Sequence, residues 1–169
     1  SSDVCSSDLL TQSLNNLGAF YIDVRDYRMA AITLKEAISA AEGTEFEALL
    51  ANGYMNYAKA LSMTNGNKAE VMKYALKSEK LIDATHMPEI IYQAKHAIAE
   101  FYYKAGDVKN AYLYSEMAYA AKDSFIKESV QKQLSDLEAK YETGKKQLEI
   151  SNLKSKQLAS DAEIARKNA

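Results

Sequence analysis

The side chains able to do chemistry are few here, and their spacing does not serve catalysis. His86 and His96 stand ten residues apart, the first in an expected loop and the second on an expected helix, with no cysteine near either. That arrangement matches no metal-ligand pattern. The single Cys5 excludes an internal disulfide, and one thiol does not make a zinc site. Glu45 and Glu47 fall on an exposed helix turn, where carboxylates read as solvated surface rather than an acid–base pair. No Gly-rich phosphate loop, nucleophile elbow or His-Glu-x-x-His pattern occurs. The twelve tyrosines offer stacking area, yet most sit where paired helices would pack. The expectation is a non-enzymatic chain with no catalytic residue, metal or cofactor.

The elements that position these groups are helices. One proline, six glycines and no tryptophan leave few breakers in 169 residues. Residues 11–44 laid over 92–125, a shift of 81, bring Leu17 onto Ile98, Gly18 onto Ala99 and Tyr21 onto Tyr102. The same shift brings Asp26 onto Asp107, Ala30 onto Ala111 and Ala37 onto Ala118. Small residues on both helices of a hairpin let the backbones approach closely, and the tyrosine fills the wedge beside them. Leu14, Leu17, Gly18, Tyr21, Ala30, Leu34 and Ala37 resemble the tetratricopeptide signature, with Leu14 in place of Trp and Glu42 in place of Pro.

A middle copy places Tyr57, Ala58 and Leu61 on its first helix, a turn at Asn65-Gly66-Asn67, and Val71, Ala75 and Ser78 on its second. Its first helix is expected to begin near Glu45. Asp26 and Asp107 suit caps of second helices, Gly106 a helix stop, and Pro88 the first turn of the third hairpin. The expected fold is all-α: a short tetratricopeptide-type solenoid of about three hairpins (11–44, 45–86 and 88–122), then one long C-terminal helix over 124–169. Asp123 or Ser124 is the expected cap of that last helix. Residues 1–8 match no periodicity and resemble translated adapter sequence, so they read as a non-native leader.

Beyond Ser124 the apolar positions Val130, Leu134, Leu137, Tyr141, Gly144 and Leu148 step by fours and threes, a heptad seam. The seam slips, and Ile150, Leu153 and Ile164 continue it. One reading is a cap lying along the last repeat over 124–142. A helix reaching residue 165 would run roughly 60 Å, longer than three hairpins can cover. The distal half then lies in solvent or pairs with another chain, and a parallel homodimer through 124–169 is the sharper reading. Residues 1–124 hold 12 Lys+Arg against 16 Asp+Glu, and residues 125–169 hold 9 against 7, so the balance changes from −4 to +2 across this boundary. Neither part shows a basic face, so no direct nucleic-acid contact is expected. No run of about 18 apolar residues exists to span a membrane within these residues.

The stretch from Asp123 through Lys140-Tyr-Glu-Thr143 to Ile150 is similar to the segment joining periplasmic tetratricopeptide repeats to a membrane helix in bacterial sensor histidine kinases. Related regulators with helix-turn-helix outputs carry a similar segment. The helical pattern is unfinished at Ala169, which reads as a fragment without its output domain. This resemblance implies two-component signalling on the periplasmic side of the inner membrane. The alternatives are a free-standing, cytoplasmic adaptor that binds partner proteins, or the sensor part of a DNA-binding regulator. The tetratricopeptide resemblance also implies a protein or peptide partner on the concave face lined by first helices. The family's groove positions fall on Gln12, Asn15 and Asp23, on Asn52, Met55 and Lys59, and on Gln93, His96, Glu100 and Tyr103. That lining is mixed in sign and has no basic clamp.

Overall fold

The computed structural model describes the backbone of residues 2–43, 47–64 and 66–167, and the side chains of 9–43, 47–64, 66–162, 164 and 166. Glu45 and Asn65, where the sequence places a helix start and part of a turn, lie outside the described residues. The described chain is all helix and turn: α1 (Ser2–Asp23), α2 (Tyr27–Ala41), α3 (Glu47–Met63), α4 (Lys68–Asp83), α5 (Pro88–Ala105) and α6 (Val108–Lys167). Internal contacts divide it into two units, residues 1–125 and 126–169.

In the first unit, α1 packs on α2, α3 on α4, and successive hairpins meet through α2 with α3 and α4 with α5. Local chemistry sets the boundaries. The Asp26 carboxylate accepts from the Met29 amide at 3.1 Å, and Asp107 accepts from the Asn110 amide at 3.0 Å. These two bonds open the second helices of the first and third hairpins at equivalent places. The amide and side-chain hydrogen bonds from Asn110 hold the Asp107 carboxyl below the usual aspartate value. Asn67 caps α4 through the Ala69 amide, and Pro88 sits in the first turn of α5. The first hairpin turns at Arg25 (φ 63°) and the third at Gly106 (φ 84°), both left-handed. At both, the next amide bonds back five residues, Asp26 to Tyr21 and Asp107 to Tyr102.

The core follows the repeat. Ala30, Leu34, Ala37, Ala58, Ile98, Ala99, Ala111 and Ala118 are buried, as are Gly18 and Tyr57. Leu14, Tyr21 and Tyr102 are half-buried. A Cβ on Gly18 would lie 2.4 Å from Leu34 Cγ, so α1 and α2 can approach this closely only over glycine. Leu17 departs from its expected packing role and is 42% exposed. Its equivalents Tyr57 and Ile98 are buried because a preceding hairpin covers them, and no described hairpin precedes α1.

The last helix also differs from expectation. No new helix starts at Asp123 or Ser124, because α6 continues unbroken from Val108 to Lys167. No proline or turn-forming glycine interrupts it there, and the Ser124 hydroxyl bonds back to the Ala120 carbonyl at 3.3 Å instead of capping. In the second unit every described residue from 131 onward is exposed. Val130, Leu134, Leu137, Tyr141, Leu148 and Leu153 are thus an uncovered apolar stripe, each 55–69% exposed.

Candidate partner-binding face

The first helices bring one set of equivalent positions to the surface. The offset from α1 to α3 is 40 and from α3 to α5 is 41, because Gly18, Ala58 and Ala99 occupy the same buried place. Under that register Gln12, Asn52 and Gln93 are equivalent, and all three are exposed. They form a row of carboxamides across α1, α3 and α5, each able to donate and accept toward a peptide backbone.

Beside this row, α3 and α5 enclose a groove of about 410 Å³ lined by Met55, Lys59, Met63, Tyr92, Gln93 and His96, with Glu100 and Lys104 also on its wall. Met55 is half-buried. The Tyr92 and His96 rings stack with centroids 5.9 Å apart and planes within 5°. Lys122 of α6 lies 5.6 Å over the Tyr92 ring. His96 Nε2 and Glu100 Oε1 are 3.9 Å apart, and both side chains are more than half exposed, so the pair adds little stability. The lining is amphipathic: Met55, Met63 and the stacked rings stand beside Lys59, Gln93, Glu100 and Lys104.

Of the other positions picked from sequence, Asp23, Lys59, Glu100 and Tyr103 are exposed. Asn15 is not available to a partner. It is 6% exposed, and its Nδ2 donates to the Leu49 carbonyl at 2.8 Å, tying α1 to α3. The reason is geometric: Asn15 lies on the edge of α1 that the next hairpin covers. Met63, Tyr92 and Lys104 join the groove without having been singled out, because only the crossing of α3 and α5 brings them together.

A buried charge cluster behind the groove was also not anticipated. Lys95 Nζ donates to Glu79 at 2.8 Å and to Asp83 at 3.1 Å, with the Lys95 and Glu79 side chains only 8% and 13% exposed. The Tyr114 hydroxyl donates to the other Glu79 oxygen at 3.0 Å. Burial by itself pulls the lysine's pKa down, but the hydrogen bonds to Glu79 and Asp83 outweigh it and leave it raised. Burial and the Glu79 contact raise the Tyr114 hydroxyl as well. The cluster joins α4, α5 and the start of α6. Among the described residues no group of His, Cys, Asp and Glu could hold a metal ion.

The hairpin order, the small residues at the crossings and the left-handed turns belong to one architecture. This is a tetratricopeptide-repeat fold. The TPR domain of Arabidopsis FLU, a solved structure, matches it with a TM-score of 0.63 over 70% of this chain and 98% of that one, at 16% identity. At that identity the likeness concerns the fold alone. No family model matches the sequence, and no curated protein is similar to it.

Proposed function

We propose that the first unit of this TPR chain binds an extended segment of a partner protein across α1, α3 and α5. The row Gln12, Asn52 and Gln93 carries the reading: exposed carboxamides at one repeat position suit hydrogen bonding along a peptide backbone. The adjoining groove accepts an apolar or sulfur-bearing side chain over Met55 and Met63. Peptide-display selection against the protein tests this. Selected peptides should lose about tenfold or more in affinity to Met55→Glu or Gln93→Ala, as expected for residues central to an interface. Peptides that bind both variants as tightly as the parent would refute the site.

The finer reading is that these repeats are the sensory part of a bacterial histidine-kinase-type protein, on the periplasmic side of the inner membrane. The similarity of residues 123–150 to membrane-proximal segments of such sensors supports it. So does the second unit, a continuous helix with an uncovered heptad stripe suited to pairing with a second copy. Reading the parent gene past residue 169 decides between alternatives. An apolar run of about 20 residues supports the sensor. A stop codon favours the free-standing adaptor, and a DNA-reading helix favours the regulator.

A further inference from the structure

We infer that a second copy of this chain seats α1 in the groove between α5 and the start of α6, continuing the solenoid head to tail. The first observation is an uncovered apolar stripe on α1. Leu10, Leu17, Phe20 and Val24 are 54%, 42%, 56% and 54% exposed. The positions equivalent to Leu17 and Phe20 are Tyr57 and Ala60 in α3, and Ile98 and Phe101 in α5, and all four are buried.

The second observation is a groove on the third hairpin. A groove of about 600 Å³ runs between α5 and α6, lined among others by Ala99, Tyr103, Lys104, Val108, Ala111 and Ser115. Its floor repeats an interface already filled inside the molecule. There, Ile98 and Phe101 pack on Ala58, Val71 and Ala75. One repeat further on, Ala58, Val71 and Ala75 become Ala99, Ala111 and Ser115, and the incoming Ile98 and Phe101 become Leu17 and Phe20 of the next copy.

Contacts at the rim translate with the right chemistry, and this argues for a second copy over another helical partner. Lys104 Nζ reaches Met63 Sδ at 3.3 Å, and one step on that pair becomes Asp23 of the next copy against Lys104, opposite charges that are both exposed. The Lys68 contact to Ala105 becomes Val108 against Val24, two valines 67% and 54% exposed. The buried pair Glu79 and Lys95 becomes Tyr119 against Leu14. A contact that uses different surfaces on the two copies is not saturated in a dimer, so assembly grows beyond it as a ring or an open chain.

Sedimentation velocity over micromolar to near-millimolar concentration tests the inference. All chains carry Leu134→Ser and Leu137→Ser, so pairing through the second unit contributes nothing and its failure stays separate. The parent should form a ladder of species larger than dimers. Phe20→Glu, which blocks the stripe, and Ser115→Arg, which blocks the seat, should each weaken association by about thirtyfold or more, the effect of losing a central anchor. Mixed together, they should form a one-to-one dimer, since one keeps its seat and the other its stripe. Asp23→Lys and Lys104→Glu should each weaken the ladder and restore it when combined in one chain. Circular dichroism melts identify variants that misfold, and the two exposed charge swaps then carry the test alone. A monomeric parent, a parent that stops at dimers, or a mixture that stays monomeric would overturn the inference.

Discussion

Replacing Gly18 with alanine measures how rigidly the first hairpin is packed. An added Cβ would stand 2.4 and 2.5 Å from Leu34 Cγ and Cδ2, well inside van der Waals contact. Leu34 is fully buried, so its displacement must be absorbed by the core around it. Overpacking of this kind costs about 1–3 kcal/mol. Alanine also favours the helix over glycine by about 1 kcal/mol, so the net loss should be up to about 2 kcal/mol. Leu34→Ala alone should cost about 2–5 kcal/mol by opening a cavity. In that background the clash is gone and the new methyl partly refills the hole. Gly18→Ala should therefore change sign and stabilise by about 1 kcal/mol. The assay is urea unfolding followed by circular dichroism, reading the midpoint with the slope unchanged. The coupling between the two sites should be at least about 1 kcal/mol. If Gly18→Ala stabilises the protein with Leu34 in place, the close crossing of α1 and α2 is not what requires glycine.

Lys95→Met should destabilise by about 2–4 kcal/mol, since it leaves the nearly buried Glu79 carboxylate without its cation; urea midpoints check this, and Glu79→Gln in the same chain should recover part of the loss. The raised Lys95 and Tyr114 pKa values predict stability that is full below about pH 10 and falls as pH rises further, because the unfolded chain gives up those protons first. Thermal melts across that range test the sign, and Lys95→Met combined with Tyr114→Phe should flatten the alkaline fall. Arg25 holds a left-handed conformation that Gly106 holds in the third hairpin. Arg25→Gly should gain, and Gly106→Ala lose, about 1 kcal/mol each, with no side-chain clash involved in the latter.

The hairpins were legible because their determinants are local and repeated. Gly18, Ala58 and Ala99 stand where two helices must touch, and a crossing that needs a small residue shows in any sequence able to form it. Asp26, Asp107 and Gly106 mark their turns by backbone chemistry that depends only on neighbours. The helical run beyond Ser124 was legible for the same reason, as a spacing along one helix. The helix start expected at Asp123 or Ser124 is absent, because a residue able to cap does so only where the chain turns.

Face assignments were a different matter. Asn15 was read as exposed and is buried, while Leu17 was read as packed and is bare. Both errors concern which side of α1 meets another hairpin, and periodicity within a helix cannot tell a covered edge from an open one. The Lys95, Glu79 and Tyr114 cluster draws on three helices, and its spacings in sequence carry no signal. By itself the sequence determined the hairpin helices and their pairing, since these follow from local propensity and repeat register. Only the tertiary structure decided which face is covered, which groove is open and which charges are buried, because burial belongs to pairs of elements and not to either one.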